Sequence, residues 1–210
     1  MKRLLVVFDV DSTLIEDEVI ELLAAEAGSL ELVAEVTERA MAGELDFAES
    51  LRERVATLAG LPASAIETAL NRVRVTEGAD ALIAAVHANG GLVGAVSGGF
   101  NQLLDPLAKR LELDYHRANQ LEIADGVLTG RVTGAIVDRT AKEVALREWA
   151  SDAGIAMEDT VAVGDGANDL KMLAAAGLGV AFNAKPIVRE QADYVLEGTS
   201  LADLITVLGL

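Results

Sequence analysis

The chain has 210 residues, 51% of them hydrophobic, which is enough for a sizeable core in one domain or in one domain with a modest insertion. Its formal net charge of −17 repels polyanions, so we expect no binding to nucleic acid or to anionic membranes. It has no cysteine and two histidines, which excludes disulfides and thiolate chemistry and argues against a histidine-built metal site or a Ser-His-Asp triad.

The first element along the chain is an apolar run that ends at a pair of aspartates. Residues 4–8, LLVVF, predict a strand buried on both faces, and Asp9 and Asp11 follow it. Asp9 interrupts the run before it reaches the length of a signal-peptide core, and no apolar segment approaches the ~20 residues of a membrane-spanning helix. We therefore expect a cytoplasmic protein.

The next segment, residues 16–75, predicts helix after helix and no strand. Apolar side chains recur there at helical spacing, as at Phe47 and Leu51. The chain enters this segment from the carboxyl end of the first strand, so we interpret it as a cap over that edge of a sheet. Two domains are therefore predicted: an α/β core of residues 1–15 and 76–210, and a helical cap of residues 16–75.

The remainder of the chain alternates between strands and helices. Short apolar runs predict buried strands over residues 92–96, 160–164, 178–182 and 192–196. Three-four spacing of apolar residues predicts helices over residues 79–89, 101–111, 141–153 and 168–176. This alternation predicts a doubly wound, mostly parallel sheet with helices on both faces. Residues 120–134 are the exception, because alternating strands flank Asp125-Gly126 and predict a small β-hairpin.

Acidic residues are concentrated where two of the predicted strands end, which is where open parallel sheets bind ligands. Asp9 and Asp11 are two residues apart in an extended segment, so their carboxylates project to the same side. The stretch TVAVGDGANDLKML brings Asp165, Asn168 and Asp169 to the end of a later strand. Crowded carboxylates require protonation or a cation, and oxygen ligands of this kind suit Mg²⁺. Taken singly, Asp11 could instead cap a turn and Asn168 a helix.

Two further segments carry groups that could bind an anion. Residues 96–100, VSGGF, predict a strand followed by a turn and a helix start, where the Ser97 hydroxyl and the free N–H groups of Gly98 and Gly99 would approach a ligand. Lys142 stands near the start of a helix, where a cation does not favour the helix dipole, and this favours a separate role. The alternatives are that residues 96–100 form an ordinary turn and that Lys142 is an ordinary solvated lysine.

These stretches, FDVDSTL, VSGGF, Lys142 and VGDGANDLKM, together resemble the four motifs of the haloacid dehalogenase-like hydrolases in order and spacing. EDEVIE and GELDFAESLRERV further resemble the members of that family that hydrolyse phosphoserine, and the likeness extends from residue 4 to near residue 200. It implies a Rossmann-like core and a Mg²⁺-dependent phosphatase that converts O-phospho-L-serine to L-serine through an aspartyl-phosphate, the last step of serine biosynthesis. Since no regulatory amino-acid-binding domain precedes the motifs, we expect no feedback control of that kind.

The resemblance also implies roles for the acidic residues and their neighbours. Asp9 would be the nucleophile, and Asp11 would protonate the leaving hydroxyl and then activate water. Mg²⁺ would be held by Asp9, the main-chain carbonyl of Asp11 and Asp165, with support from Asp169. The groups that would hold the phosphoryl oxygens are Ser97, the Gly98 amide, Lys142 and Asn168.

For the amino-acid part of the substrate, a small phosphomonoester, the resemblance implies one acid and one base. Glu18 would face the ammonium group and Arg54 the carboxylate, with Met41, Phe47 and Gly98 as the pocket wall. From the residues alone, Glu18 could instead complement a helix dipole, Arg54 could pair with a neighbouring glutamate, and Phe47 could belong to the core.

Three other functions fit part of this pattern. A phospho-accepting receiver domain also uses an aspartate at a strand end, but it needs neither Asp11 as a proton donor nor a helical cap. A phosphotransferase could pass the phosphoryl group to another alcohol, such as homoserine, and the sequence does not separate this from hydrolysis. A phosphatase for sugar or nucleotide phosphates would lack the pair Glu18 and Arg54. The sequence predicts no oligomeric state.

Overall fold

The computed structural model describes residues 3–41 and 44–210, and the side chain of Met41 lies outside the described part. Within it, the strands are β1 (Leu5–Phe8), β2 (Leu92–Phe100), β3 (Tyr115–Ala124), β4 (Val127–Thr133), β5 (Thr160–Gly164), β6 (Leu178–Phe182) and β7 (Tyr194–Leu196). They form one sheet in the order β4-β3-β2-β1-β5-β6-β7, and every pair is parallel except β3 with β4. The predicted doubly wound, mostly parallel sheet is therefore confirmed.

Helices connect these strands and cover both faces of the sheet. The α-helices of the described residues are α1 (Val19–Ala27), α2 (Leu30–Met41), α3 (Phe47–Ala56), α4 (Ser64–Leu70), α5 (Ala79–Ala88), α6 (Asn101–Arg110), α7 (Arg139–Ala153), α8 (Leu170–Ala175), α9 (Pro186–Arg189) and α10 (Asp203–Leu208). None of them combines the length and the hydropathy that crossing a membrane requires.

The central strand β1 shows why the strands appear as continuous apolar runs. Val6 and Phe8 pack into a core cluster with residues of α5 and α6, whereas Leu5 and Val7 pack into a second cluster with residues of α7 and α8. All four side chains are fully buried. Because successive side chains of a strand point to opposite faces and both faces are covered, no polar alternation appears in the sequence.

The segment between β1 and β2 contains α1 to α4, and isolated bridges join it to the rest of the molecule. Ile15 bridges to Val75, which brings the two ends of the segment together, and Pro62 bridges to Val127 at the start of β4. Within the described residues of this segment no strand forms. The division of the chain into a core and a cap of residues 16–75 stays a prediction.

Strand β2 is longer than predicted. The turn predicted within residues 96–100 is wrong, because the strand continues to Phe100. The helix predicted over residues 101–111 does begin there, as α6 starts at Asn101. Phe100 is buried and pairs with Asn119 of β3 after a register shift, so packing and pairing keep the two glycines of this stretch extended. Gly98 therefore lies in an irregular strand end and not at a helix N-terminus.

The predicted hairpin forms at Asp125-Gly126 and is part of the main sheet. The first half of β3 pairs in parallel with β2, and its second half pairs antiparallel with β4. Asp125 and Gly126 have φ angles of 50° and 78°, as a two-residue turn between twisted strands requires. The hairpin thus extends the edge of the sheet.

Candidate active site

A cavity of about 200 Å³ opens at the carboxyl ends of β1, β2 and β5. Its walls come from the segments that leave these strands and from α1 and α3. The residues predicted from the sequence that line it are Asp9, Asp11, Glu18, Phe47, Arg54, Gly98, Asp165 and Asn168. The structure therefore brings most of the predicted residues to one cavity.

Three carboxylates meet at the inner end of this cavity. Oxygen atoms of Asp9, Asp165 and Asp169 all lie within 4.8 Å of one another. Strands β1 and β5 are parallel neighbours with Phe8 opposite Val163, and the Asp9 N–H donates to the Val163 carbonyl (2.8 Å). The residues that follow the two strands therefore leave the sheet side by side, which is why positions far apart in sequence meet.

Lys142 connects two of these carboxylates from behind the cavity wall. Its side chain is 1% exposed, and its Nζ donates to Oδ1 of Asp9 and to Oδ1 of Asp169, both at 2.6 Å. Burial alone would lower the pKa of Lys142, but Asp169 and Asp9 raise it above its usual value. The side chain of Asp138 caps the first turn of α7 and so fixes the helix that presents this lysine.

The carboxylates carry more negative charge than Lys142 balances. Burial and the charge of Asp169 raise the pKa of Asp9 well above its usual value, although Lys142 opposes the rise. Burial and Asp169 also raise the pKa of Asp165 to about 6, with Lys185 acting in the opposite direction. A set of donors made of oxygen alone, with unbalanced negative charge, fits a hard divalent cation. The cluster therefore fits a metal site.

Asp169 is fully buried and closes the loop that carries this cluster. Its Oδ1 accepts from Lys142, and its Oδ2 accepts from the Gly166 N–H (3.0 Å). A Cβ at Gly164 would lie 2.6 Å from Asp169 Oδ2, so no other residue fits at that position without displacing the carboxylate. Asn168, the preceding residue, lines the cavity.

Asp11 has a different environment from the cluster. Its Oδ1 accepts from the Val19 N–H (2.9 Å), which caps α1, and its Oδ2 accepts from the Ser97 hydroxyl (3.3 Å). Burial and the nearby carboxylate of Glu18 raise the pKa of Asp11 to about 7. A carboxyl group with such a pKa can both donate and accept a proton at neutral pH.

Ser97 is buried, and its hydroxyl is held on both sides. It donates to Asp11 and accepts from the Gly99 N–H (2.7 Å). The expectation that the Gly99 N–H is free for an anion is therefore wrong, because the serine hydroxyl takes that donor. A Cβ at Gly99 would lie 2.6 Å from Val19, so glycine is needed there for close packing.

The outer end of the cavity carries the predicted acid and base of α1 and α3. Glu18 accepts from the Ser12 hydroxyl (2.7 Å). Arg54 is half-buried, its Nε donates to the Ser50 carbonyl (3.3 Å), and burial lowers its pKa while Glu18 opposes this. Among the described residues, no carboxylate lies within 4.0 Å of the Arg54 guanidinium. Its neighbour Glu53 pairs with a different arginine.

Phe47 forms the remaining wall at the outer end. It is the first residue of α3, where Asp46 and Glu49 form a capping box. A Cβ at Gly98 would lie 3.0 Å from Phe47 Cζ, so the glycine makes room for the ring. Met41, which was predicted to belong to this wall, lies outside the described side chains.

Two residues that contact Asp165 were missed from the sequence. Lys185 lines the cavity, and its main-chain N–H donates to the Asp165 carbonyl (3.0 Å). The Thr13 hydroxyl donates to Asp165 Oδ1 (3.4 Å). Lys185 follows β6, whose carboxyl end lies at the same edge of the sheet. The rule that ligands bind at that edge was the signal that could have found it.

Comparison with known proteins agrees with this fold. Residues 6–174 match the family model of haloacid dehalogenase-like hydrolases. The chain belongs to the haloacid dehalogenase-like hydrolase family.

Particular relatives in that family are phosphoserine phosphatases. The chain is 56% identical over 206 residues to phosphoserine phosphatase SerB2 of Mycobacterium tuberculosis, which covers 98% of this chain and 50% of that protein. It is 52% identical over 204 residues to phosphoserine phosphatase of Streptococcus thermophilus, which covers 97% and 95%. The chain thus spans half the length of the first relative and nearly all of the second.

A solved structure of a phospho-aspartyl intermediate analogue of phosphoserine phosphatase superimposes with a TM-score of 0.92. Its sequence is 44% identical to this chain, and the match covers 99% of both chains.

Proposed function

We propose that this chain hydrolyses O-phospho-L-serine to L-serine and phosphate through an aspartyl-phosphate on Asp9. The observation that carries the proposal is a single cavity that has a carboxylate cluster at its inner end and Glu18 and Arg54 at its outer end. The names of the relatives and of the superimposable structure support the same reaction. The cavity offers opposite charges for the ammonium and carboxylate groups that distinguish phosphoserine from simpler phosphate esters.

We propose Mg²⁺ as the metal of the cluster. Asp9, Asp165 and the main-chain carbonyl of Asp11 would hold it, and Asp169 would support them through Lys142 and the loop. When bound, such an ion neutralises carboxylate charge and polarises phosphoryl oxygens. The all-oxygen donor set and the raised pKa values of Asp9 and Asp165 support this assignment.

The first step of the proposed reaction uses Asp9 and Asp11. Oδ1 of Asp9 accepts from the Val10 N–H (2.7 Å) and from Lys142, which fixes the plane of the carboxylate. The Asp9 carboxylate attacks phosphorus while the bond from phosphorus to the serine oxygen breaks, and Asp11 donates its proton to that oxygen. The groups that would bind the phosphoryl oxygens are Ser97, Gly98, Lys142 and Asn168, and the Ser97 hydroxyl would turn from Asp11 to do so.

The second step restores the free carboxylate. Water attacks phosphorus, Asp11 takes a proton from this water, and the bond from phosphorus to the Asp9 oxygen breaks to release phosphate. Asp11 is thereby ready to protonate the next leaving group. Its hydrogen bond with the Val19 N–H holds the carboxyl group in place during both transfers.

Substrate selection is assigned to the segment between β1 and β2. Glu18 would bind the ammonium group, Arg54 would bind the carboxylate, and Phe47 with Met41 would cover the carbon chain. We propose that residues 16–75 act as a cap that excludes water when substrate is bound. The position of α3 over the cavity supports this role, because both Phe47 and Arg54 reach the cavity from it.

The experiment is phosphate release from phosphoserine, phosphothreonine, sugar phosphates and nucleotides, with Mg²⁺ present or chelated. We expect phosphoserine to have the highest kcat/KM, chelation to stop turnover, and Asp9→Asn to be inactive. Similar rates for all esters would contradict the substrate, and turnover by Asp9→Asn would contradict the mechanism. Formation of phosphohomoserine when homoserine is added would identify a phosphotransferase instead.

A further inference from the structure

The turn after β1 contains a residue in an unusual backbone conformation beside the two catalytic aspartates. Ser12, in the turn Val10–Leu14, has φ 58° and ψ 7°. This is the left-handed region, which residues other than glycine rarely occupy. Such conformations persist where surrounding contacts hold them, and they are concentrated at functional sites. The contacts of Ser12 therefore indicate what the conformation is for.

The Ser12 hydroxyl donates to Oε1 of Glu18 at 2.7 Å. Glu18 stands at the N-cap position of α1, yet its side chain makes no capping hydrogen bond. The carboxylate of Asp11 caps this helix instead, through the Val19 N–H. Two side chains of the turn thus contact the start of α1. Asp11 binds the helix backbone, and Ser12 binds the Glu18 side chain.

We propose that Ser12 is a positioning residue that holds the Glu18 carboxylate towards the ammonium group of the substrate and so contributes to substrate specificity. This rests on the proposed function, in which Glu18 binds that group. A glutamate has three side-chain torsions, and fixing one carboxylate oxygen removes much of their freedom before substrate arrives. The second oxygen is left for the ammonium group. Loss of the Ser12 hydroxyl should therefore weaken binding only of esters that carry an amino group.

The test compares phosphoserine with 3-phosphooxypropanoate, which is phosphoserine without its amino group. Ser12→Ala and Ser12→Gly both remove the hydroxyl, and glycine also relieves the left-handed backbone. We expect both variants to raise KM for phosphoserine about 10-fold, as loss of a hydrogen bond to a charged group does. We expect kcat/KM for the analogue to change less than about 2-fold, because the analogue has no ammonium group for Glu18 to bind.

A double-mutant cycle separates positioning from general damage. In a Glu18→Gln background, Ser12→Ala should add less than about 2-fold to KM for phosphoserine, because the charge that Ser12 positions is already gone. Thr37→Ala is the matched control, since that hydroxyl donates only to the Val33 carbonyl of its own helix, and it should leave both substrates unchanged.

Equal losses on both substrates, or an undiminished effect of Ser12→Ala in the Glu18→Gln background, would overturn the role of Ser12 while leaving phosphoserine hydrolysis intact. A wild-type chain that does not hydrolyse phosphoserine would overturn the proposed function, and the role of Ser12 with it.

Discussion

The two ends of the cavity are built in different ways. At the inner end the three charged groups are buried: Asp9 follows β1, Lys142 lies in α7, and Asp169 precedes α8. Short hydrogen bonds from Lys142 join it to both aspartates. At the outer end, Glu18 and Arg54 are partly exposed, and among the described contacts Arg54 donates only to a carbonyl of its own helix. The inner end is preorganised for one reaction, whereas the outer end can be altered without disturbing the core.

This difference leads to a division of roles. The inner groups should control turnover, metal binding and stability, because each is desolvated and bonded to the others. The outer groups should control KM and the choice of ester. Variants at the two ends should therefore fail in different measurements, and the predictions that follow run from the largest expected effect to the smallest.

The largest effect is expected at the inner end, for Lys142→Met. Removing the ammonium leaves Asp9 and Asp169 buried without their partner, which should lower the free energy of unfolding by about 3–5 kcal/mol and abolish turnover. Chemical denaturation and phosphate release measure the two losses. Lys171→Met is the control, since its Nζ donates to the exposed Thr140 hydroxyl and its loss should change little. Equal stability of the two variants would contradict a buried charge network.

The next effect concerns metal removal and Asp165. Because the folded-state pKa of Asp165 is raised from 3.8 to about 6, the unfolded chain binds fewer protons between these values. The metal-free protein should therefore lose stability as pH rises through this window. Asp165→Asn should remove that loss, on the order of 2 kcal/mol at neutral pH, because each pKa unit corresponds to about 1.4 kcal/mol and the carboxylate is partly open to solvent.

Thermal unfolding in EDTA, repeated as the pH rises from 3.8 to about 6, measures the loss of stability. The same unfolding in Mg²⁺ tests the metal. Mg²⁺ should raise the Tm of the wild type and not that of Asp165→Asn. A variant that is as strongly stabilised by Mg²⁺ as the wild type would place the ion elsewhere.

At the outer end, Arg54→Ala should raise KM for phosphoserine about 30-fold, because the carboxylate of the substrate loses a charged hydrogen-bonding partner. The KM for p-nitrophenyl phosphate, which has no such carboxylate, should be nearly unchanged. Arg52→Ala, at an exposed position on the same helix, is the control. Equal increases in KM for both esters would show that Arg54 supports the cavity in general and does not select the substrate.

The smallest effect is expected for Arg139, which supports the loop of residues 165–169 from outside the cavity. Its Nε and Nη2 donate to the Ala167 carbonyl at 3.0 and 2.5 Å. Arg139→Ala should weaken Mg²⁺ binding about 10-fold, as loss of an outer partner of a metal site does. Titration calorimetry measures this directly. Arg147→Ala is the control, because it removes only a surface ion pair with Glu143. Identical Mg²⁺ affinities of the two variants would show that Arg139 does not support the loop.

The sequence predicted the inner end better than the details around it. Asp9 and Asp165 could be found because buried parallel strands appear as short apolar runs and their carboxyl ends meet at one edge. The conformation of residues 96–100 could not be predicted, because two adjacent glycines favour a turn locally. The burial of Phe100 and its pairing with Asn119 extend the strand through them. Local preference was overridden by tertiary packing.

The outer end was less predictable for a related reason. The hydrogen bond between Ser12 and Glu18 depends on the left-handed backbone conformation of Ser12, which no pattern in the sequence predicts. Cytoplasmic location and the lack of nucleic-acid binding stay predictions.

The most direct measurement is to quench the wild-type chain with acid during turnover of phosphoserine and to locate the phosphoryl group by peptide mass spectrometry. The account predicts one phosphoryl group on the peptide that contains Asp9, and none in Asp9→Asn. Turnover without a phosphorylated peptide, or a phosphoryl group on a different residue, would contradict it.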